Sequence, residues 1–448
     1  MRSIHITQTQ SNSCCTTAPV NQARHEAASH SDSKSLPVIV IGAGPIGLAA
    51  AAHLAERGED FVLLEAGAQI GQHVTEWGHV RLFSPWQYNV DKAAAKLLAA
   101  QGWTAPPEEE LPTGQQLLDL YLNPLSQLPV IQSRLRLNSK VVAVSKKDTD
   151  LMKSAHREKL PFEVYAEEAG GELIRYEAKA VIDATGTWGH ANPLYASGVW
   201  TNEERSLSNK VYYGIPDVKG AERDQFIGKR IAVVGGGHSA LNTLLDLADL
   251  QTLNSATEII WIMRKSSVAE AYGGEANDQL SARGELGSRI HQLVDAKRVE
   301  VVTPFRIQKA KMLNGKMSLT GVHKEGALVI SDLDQVIVNA GSRPDFSFLS
   351  ELRLSIDPAT ESIAALAPLI DPNVHSCGTV RPHGEQELRH VEKGFYIVGM
   401  KSYGRAPTFL MATGYEQVRS VVAYLAGDLE AALKVELDLP ETGVCSIS

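Results

Sequence analysis

One local plan occurs twice in this 448-residue chain, and that repetition restricts the fold more than any other feature. A short β-branched run, Pro37–Ile41, stops at Gly42-Ala43-Gly44-Pro45-Ile46-Gly47. An Ala-rich stretch, Leu48–Arg57, follows and is closed by Gly58, a helix stop signal. A second apolar run, Phe61–Leu64, then ends in Glu65. Further along, Arg230–Val234 leads into Gly235-Gly236-Gly237-His238-Ser239-Ala240, a helical stretch near Ala240–Leu250, and the run Glu258–Met263. This copy ends in Arg264-Lys265 rather than in an acid. Each copy later has a closing apolar run that stops at glycine, Gly186 in the first and Gly341 in the second. Short apolar runs of this kind read as buried parallel strands.

The expected fold class is therefore α/β, with two Rossmann-like three-layer domains, the second inserted in the first. A chain this long also exceeds what a single hydrophobic core can organise. Residues 1–35 are polar and aperiodic and read as a disordered tail. The first nucleotide domain is expected over 36–215 and 342–448, with a Pro-punctuated helical insertion at about 82–130. The second is expected over 216–341. The return segment ends in a strand, Phe395–Val398, and an amphipathic helix near Tyr415–Leu425.

The glycine turns state their chemistry. A dinucleotide pyrophosphate needs backbone N–H donors with no side chain in the way. Gly42 permits the tight turn, Gly44 admits the phosphates, and Gly47 packs helix on strand. The helix N-terminus adds partial positive charge. Glu65, at the end of the next strand, is placed to accept from ribose hydroxyls. In the second copy Ala240 replaces the last glycine and Arg264 replaces the acid. A guanidinium there suits a 2′-phosphate and favours NADPH, unless Arg264 is a solvated strand-end charge. Two sites for two nucleotides imply FAD at the acidic first turn and NADPH at the basic second one.

Composition narrows the partners. The formal charge of −9 argues against nucleic-acid binding. No apolar run reaches membrane-spanning length and no secretory h-region is visible, so the expected location is cytoplasmic. Four scattered cysteines, Cys14, Cys15, Cys377 and Cys445, do not make a disulfide framework. No metal site is expected. The oligomeric state stays open, a homodimer among the options.

These residues resemble the two-dinucleotide-binding-domain flavoproteins, and within them the flavin-containing monooxygenase branch. The resemblance is carried by Gly42 to Gly47, Glu65, Trp77, Ala184-Thr185-Gly186, Gly228-Lys229-Arg230 with Gly235 to Ala240, and Gly341-Ser342-Arg343-Pro344-Asp345. It implies FAD bound without a covalent link, reduction by NADPH, and reaction with O2 to a C4a-hydroperoxyflavin that oxygenates a small soft nucleophile or carbonyl. One place departs from the branch. Its F-x-G-x-x-x-H signature here reads Tyr212 to Val218, with Val218 where the histidine stands. The redox Cys pair of the related disulfide reductases is missing, and their Gly-Asp is Gly399-Met400. An NADPH reductase without oxygenation and a redox- or metalloid-sensing flavoprotein therefore remain alternatives.

The FAD candidates are Gly42, Gly44, Pro45, Ile46, Gly47, Glu65, Ala66, Trp77, Val142, Ala184, Thr185, Gly186, Gly399 and Met400. The NADPH candidates are Gly235, Gly237, His238, Ser239, Ala240, Arg264, Lys265 and Gly341. No catalytic side chain is required, because the flavin carries the chemistry. Arg81, Arg343 and Arg405 are candidates to hold NADP+ or to stabilise an oxygen anion, against a structural role for each. Trp77, Arg81, Phe83 and Trp86 either wall a substrate pocket or pack the insertion on the first domain. Cys14-Cys15 is a vicinal pair suited to soft ions such as arsenite, or two incidental thiols. Cys377, after His375, is a flavin-proximal thiol or a buried structural one. Leu439 to Gly443 imitates a sortase signal but no hydrophobic span follows it.

Overall fold

The computed structural model describes residues 36–373, 383–407 and 409–437. The expected tail, all four cysteines, His375 and the 439–443 stretch lie outside the described residues.

Two five-stranded parallel sheets form the frame. The first runs, edge to edge, Phe395–Ile397, Ala180–Asp183, Val38–Ile41, Phe61–Leu64 and Leu135–Arg136. The second runs Glu300–Val302, Glu258–Ile262, Arg230–Val234, Gln335–Val338 and Val211–Tyr213. In each, the strand leading into the glycine turn is central. Val38, Ile39 and Val40 are fully buried, as a strand covered on both faces requires.

The second sheet shows its layers in its side-chain alternation. Ile231, Val233, Ile259, Trp261 and Ile337 pack in one core with residues of the helix His238–Leu253. Ala232, Ile260, Ile262, Val336 and Val338 share another core with Phe305, Ile307, Leu319 and Ile330. Those last residues belong to an antiparallel sheet, Phe305–Leu313, Lys316–His323 and Gly326–Leu333. A similar three-stranded sheet, Lys140–Lys146, Phe162–Glu167 and Leu173–Ala178, belongs to the first half. Neither antiparallel sheet was expected. Their strands alternate buried and exposed residues, as with Phe305 and Ile307 against Arg306 and Gln308, so no apolar run marks them.

The helices begin earlier than their apolar stretches. The first spans Pro45–Glu56, the second His238–Leu253, and the last Met411–Leu425. The turn motifs themselves supply the first helical residues. Pro45 fits that place because the first helical position needs no N–H donor.

The chain passes from the first sheet to the second between Asp183 and Val211. Val211–Tyr213 pairs with Val336–Val338, and Leu194, Tyr195 and Leu207 pack in the core of the second sheet. Two connections lie side by side at the crossing. Asn192 N donates to Gly341 O at 2.9 Å, Arg343 N donates to His190 O at 2.9 Å, and the Thr187 and Ser342 hydroxyls bond at 2.8 Å.

His390 sits under the first sheet, 7% exposed, beside Phe395. Burial pulls its imidazole down from 6.5 to about 4, and Nδ1 accepts from Ser355 N at 3.1 Å. The unfolded chain thus binds a proton near pH 6.5 that the folded chain refuses until about pH 4. Stability is complete above pH 6.5 and is lost as pH falls through this window, by about 3 kcal/mol at its foot. Denaturant titrations at pH 7 and pH 4.5 are expected to show this loss, and His390→Gln is expected to reduce it. An unchanged pH slope in the variant would assign the acid lability elsewhere.

Candidate functional site

The first glycine turn is shaped by contacts that exclude side chains. Gly42 has φ +96°, and a Cβ there would stand 2.9 Å from Ala184 O. A Cβ on Gly47 would stand 1.8 Å from Gly42 O. At Gly44 the same construction meets nothing within 4 Å. So two glycines close the turn on protein, while the middle one faces open space. The helix it starts has no side-chain cap and no acid in its first turn. Its free amides and partial positive charge are therefore left for an anion.

The second turn repeats the pattern. Gly235 has φ +137°, and a Cβ there would stand 2.2 Å from Asn339 O. Gly237 faces open space, and the helix after it is again uncapped with no first-turn acid. Both turns lie at the carboxyl ends of central parallel strands, where open α/β sheets take their ligands. An empty cradle at the middle glycine and an uncapped helix end are what a diphosphate needs, so the residues present fit two dinucleotides.

The remaining sequence candidates fall around these turns. Glu65 is 8% exposed; its carboxylate accepts from Ala43 N at 2.7 Å and from Gly67 N at 2.8 Å. It thus braces the glycine turn, a structural task the sequence did not reveal. Each oxygen retains acceptor capacity for a ribose hydroxyl. Ala66 beside it is exposed. Ser139 N donates to Glu65 O, which brings the strand carrying Val142 alongside. Val142 is exposed at a bulge in that strand. Ile46 touches the sites where Gly399 and Gly414 would carry a Cβ, at 3.1 and 2.5 Å. Gly186 and Gly399 have φ +70° and +69°, and Met400 is half-buried.

Around the second turn, Arg264 is exposed, and the Lys265 stem lies over Gly236, 3.2 Å from where its Cβ would be. Ser239 is half-buried, Ala240 fully buried, and Gly341 exposed with φ +81°. His238 packs against Phe83 of the insertion, ring centroids 5.0 Å apart, and Arg283 stands over Phe83 at 5.8 Å. Burial, and then the Arg283 charge, hold the His238 imidazole down at about 4, so it is neutral at pH 7. Phe83 therefore joins the insertion to the second glycine turn rather than to the first half alone.

The three candidate arginines separate. Arg343 is paired with Glu361, Arg81 donates to Leu111 O at 2.7 Å, and Arg405 is exposed. Trp77 is half-buried and stacks obliquely on Trp188, centroids 6.3 Å apart; Trp188 Nε1 donates to Glu76 at 2.8 Å. Val218, at the position of the missing histidine, is fully buried in the second core. The last helix begins at Met411, so Thr413 and Gly414 lie inside its first turn, and its Gln417 accepts from the amide of Gly399 at 2.7 Å.

Several residues had no sequence signal. Asp183 and Lys401 form a buried ion pair beside Thr185. Asn339 gives its Nδ2 to Gly214 O at 2.6 Å, while its buried Oδ1 has no hydrogen-bond partner. A cavity of about 600 Å³ lies within the insertion, walled by Arg81, Trp86, Trp103, Glu110 and Asp119. Another of about 680 Å³ is lined by Glu76, His79, Tyr212, Asp217 and Glu222. Burial, with Glu222 beside it, pushes the Tyr212 hydroxyl up to about 12, so it stays a donor. Neither cavity includes a glycine-turn residue. Among the described residues, no cluster of His, Cys, Asp or Glu is arranged for a metal and no helix is long and apolar enough to cross a membrane.

Comparison with known proteins agrees with this frame. The chain is 25% identical over 209 residues to a ferredoxin--NADP reductase of Lactobacillus gasseri, covering 46% of this chain and 55% of that one. It thus spans about half the length of that relative. The bacillithiol disulfide reductase Bdr of Bacillus cereus superposes with a TM-score of 0.63 at 20% identity, covering 88% of this chain and 99% of that one. The cadaverine monooxygenase DfoA of Erwinia amylovora, solved with FAD, also gives 0.63, at 14% identity and 90% and 97% coverage. Such identities show a shared fold. The family described as pyridine nucleotide-disulphide oxidoreductase matches residues 39–368, most of the chain. By that match the chain belongs to the pyridine nucleotide-disulphide oxidoreductase family.

Proposed function

We propose that the protein binds FAD at the Gly42–Gly47 turn and NADPH at the Gly235–Ala240 turn, and uses the electrons to oxygenate a small substrate. The observation that carries the two-cofactor reading is the pair of open cradles at Gly44 and Gly237, each at an uncapped helix end. The domain limits proposed are the two sheets with the crossing near residues 187–192. When bound, the flavin supplies the redox chemistry; the chain supplies binding, orientation and shielding. The overall balance is substrate, O2, NADPH and a proton giving oxygenated substrate, water and NADP+.

One observation argues against disulfide reduction. No cysteine pair spaced by two or four residues occurs in the sequence, so there is no dithiol relay of the usual kind. The fold is shared alike with a cadaverine monooxygenase and a disulfide reductase and does not choose between them. A second reading, electron transfer to another acceptor without oxygenation, is favoured by relatives named ferredoxin--NADP reductase. Small amines, sulfides and ketones should be screened under 18O2 with NADPH. Label in the product supports oxygenation. NADPH consumption that yields only hydrogen peroxide would turn the reading to the reductase.

Exposed Arg264 is the residue proposed to meet the 2′-phosphate. Arg264→Ala is expected to weaken NADPH about 10-fold or more, the scale of a charge-assisted hydrogen bond, and to leave NADH unchanged. Equal effects on both reductants would remove that role.

A further inference from the structure

We propose that Lys401 and Asp183 are positioning residues for FAD, joined in a buried ion pair that sets the wall of the first glycine turn. The inference rests on the assignment of FAD to that turn. Lys401 Nζ lies 2.6 Å from Asp183 Oδ2, and both side chains are 0% exposed. The ammonium also donates to Thr185 Oγ1 at 3.2 Å and stands 4.5 Å from the centre of the Phe348 ring. The other carboxylate oxygen of Asp183 accepts from Thr185 N at 3.1 Å and from Thr185 Oγ1 at 2.7 Å. Thr185 is thus held from two sides.

The place of this cycle points to its task. Asp183 ends the strand Ala180–Asp183, and Lys401 follows the strand Phe395–Ile397 that pairs with it. The strand on the other side, Val38–Ile41, feeds Gly42. A Cβ on Gly42 would stand 2.9 Å from Ala184 O and 3.2 Å from Thr185 Cα, so the 184–186 turn is the wall against which the glycine turn closes. Beyond that wall, after the edge strand Phe395–Ile397, a Cβ on Gly399 would stand 3.1 Å from Ile46, and Gly399 gives its amide to Gln417. Moving the ion pair would move the wall, and with it the space left open at Gly44.

Stability alone is a poor reason for such a pair. Taking both ions fully out of water costs several kcal/mol each, and apolar residues of similar volume usually serve a core as well. A directional, charge-assisted cycle does what an apolar contact cannot, which is to fix one turn in one orientation.

The test must keep the protein folded. Lys401→Met alone strands a buried carboxylate, so the informative variant is Asp183→Asn with Lys401→Met, which removes both charges and keeps an acceptor for Thr185. This double variant is expected to keep the wild-type circular dichroism and melt within a few degrees of wild type. Its FAD dissociation constant, read from the fluorescence of released flavin, is expected to rise about 10-fold or more. That is the scale seen when a group orienting a binding residue is removed. The visible absorption envelope of the bound flavin should shift as well. Thr185→Val, which removes the hydroxyl from the cycle without touching a charge, is expected to weaken FAD in the same direction. If the double variant folds and holds FAD with wild-type affinity and spectrum, the positioning role is overturned. If it does not fold, the apolar pair Asp183→Leu with Lys401→Met decides: weakened FAD supports the role and unchanged FAD overturns it. A wild-type protein that takes up no FAD at all would remove the cofactor assignment itself, an outcome distinct from either.

Discussion

Gly235→Ala is expected to leave the protein yellow and nearly blind to NADPH. The residue stands at φ +137°, a conformation that an L side chain rarely adopts, and its new Cβ would meet Asn339 O at 2.2 Å. The carbonyl belongs to backbone at the end of a central strand, so it cannot swing away. The turn must open instead, and the amides aimed at the diphosphate lose their aim. Flavin reduction under anaerobic conditions should slow at least about 100-fold at fixed NADPH, the equivalent of about 3 kcal/mol. Dithionite should still bleach the flavin. Gly237→Ala separates backbone damage from exclusion of cofactor. Its Cβ meets no protein atom within 4 Å, so the fold should be untouched while NADPH weakens. Wild-type reduction rates in both variants would show that the second turn does not bind the reductant.

Gly47→Ala is expected to yield protein without flavin, or no folded protein. Within a helix this exchange ordinarily stabilises by about 0.5–1 kcal/mol, because glycine is the poorer helix former. Here the sign reverses. The added methyl would sit 1.8 Å from Gly42 O, inside the turn that joins the central strand to its helix. Relief requires the helix to lift from the sheet, where Leu48, Ala49, Ala50, Ala51 and Ala52 are fully buried. The cost is on the order of 4 kcal/mol, at the upper end for one substitution. Thermal melting and the absorbance of purified protein near 450 nm measure it. A variant that melts with wild type and stays yellow would mean that the helix does not rest on that turn.

The glycine turns were legible from sequence because their requirement is local. A tight bend, an amide row without side chains and a helix start are all written within six residues. Glu65 and Arg264 follow the strands Phe61–Leu64 and Glu258–Ile262, as their distance from those bends suggests. Their surroundings were not legible. Glu65 proved to hold two backbone amides, and Phe83 proved to rest on His238 of the other half.

The sequence by itself determined the duplicated strand, turn and helix plan and the parallel sheets that follow from it. Only the tertiary structure decided which charges are buried. Lys401 and Asp183 are 218 positions apart, and along the chain each looks like an ordinary surface ion. They meet because two neighbouring strands end side by side, and they are dry because the turns around them exclude water. The antiparallel sheets belong to the same class. Their strands alternate, their contacts are distant, and no short stretch of residues contains the information that pairs them.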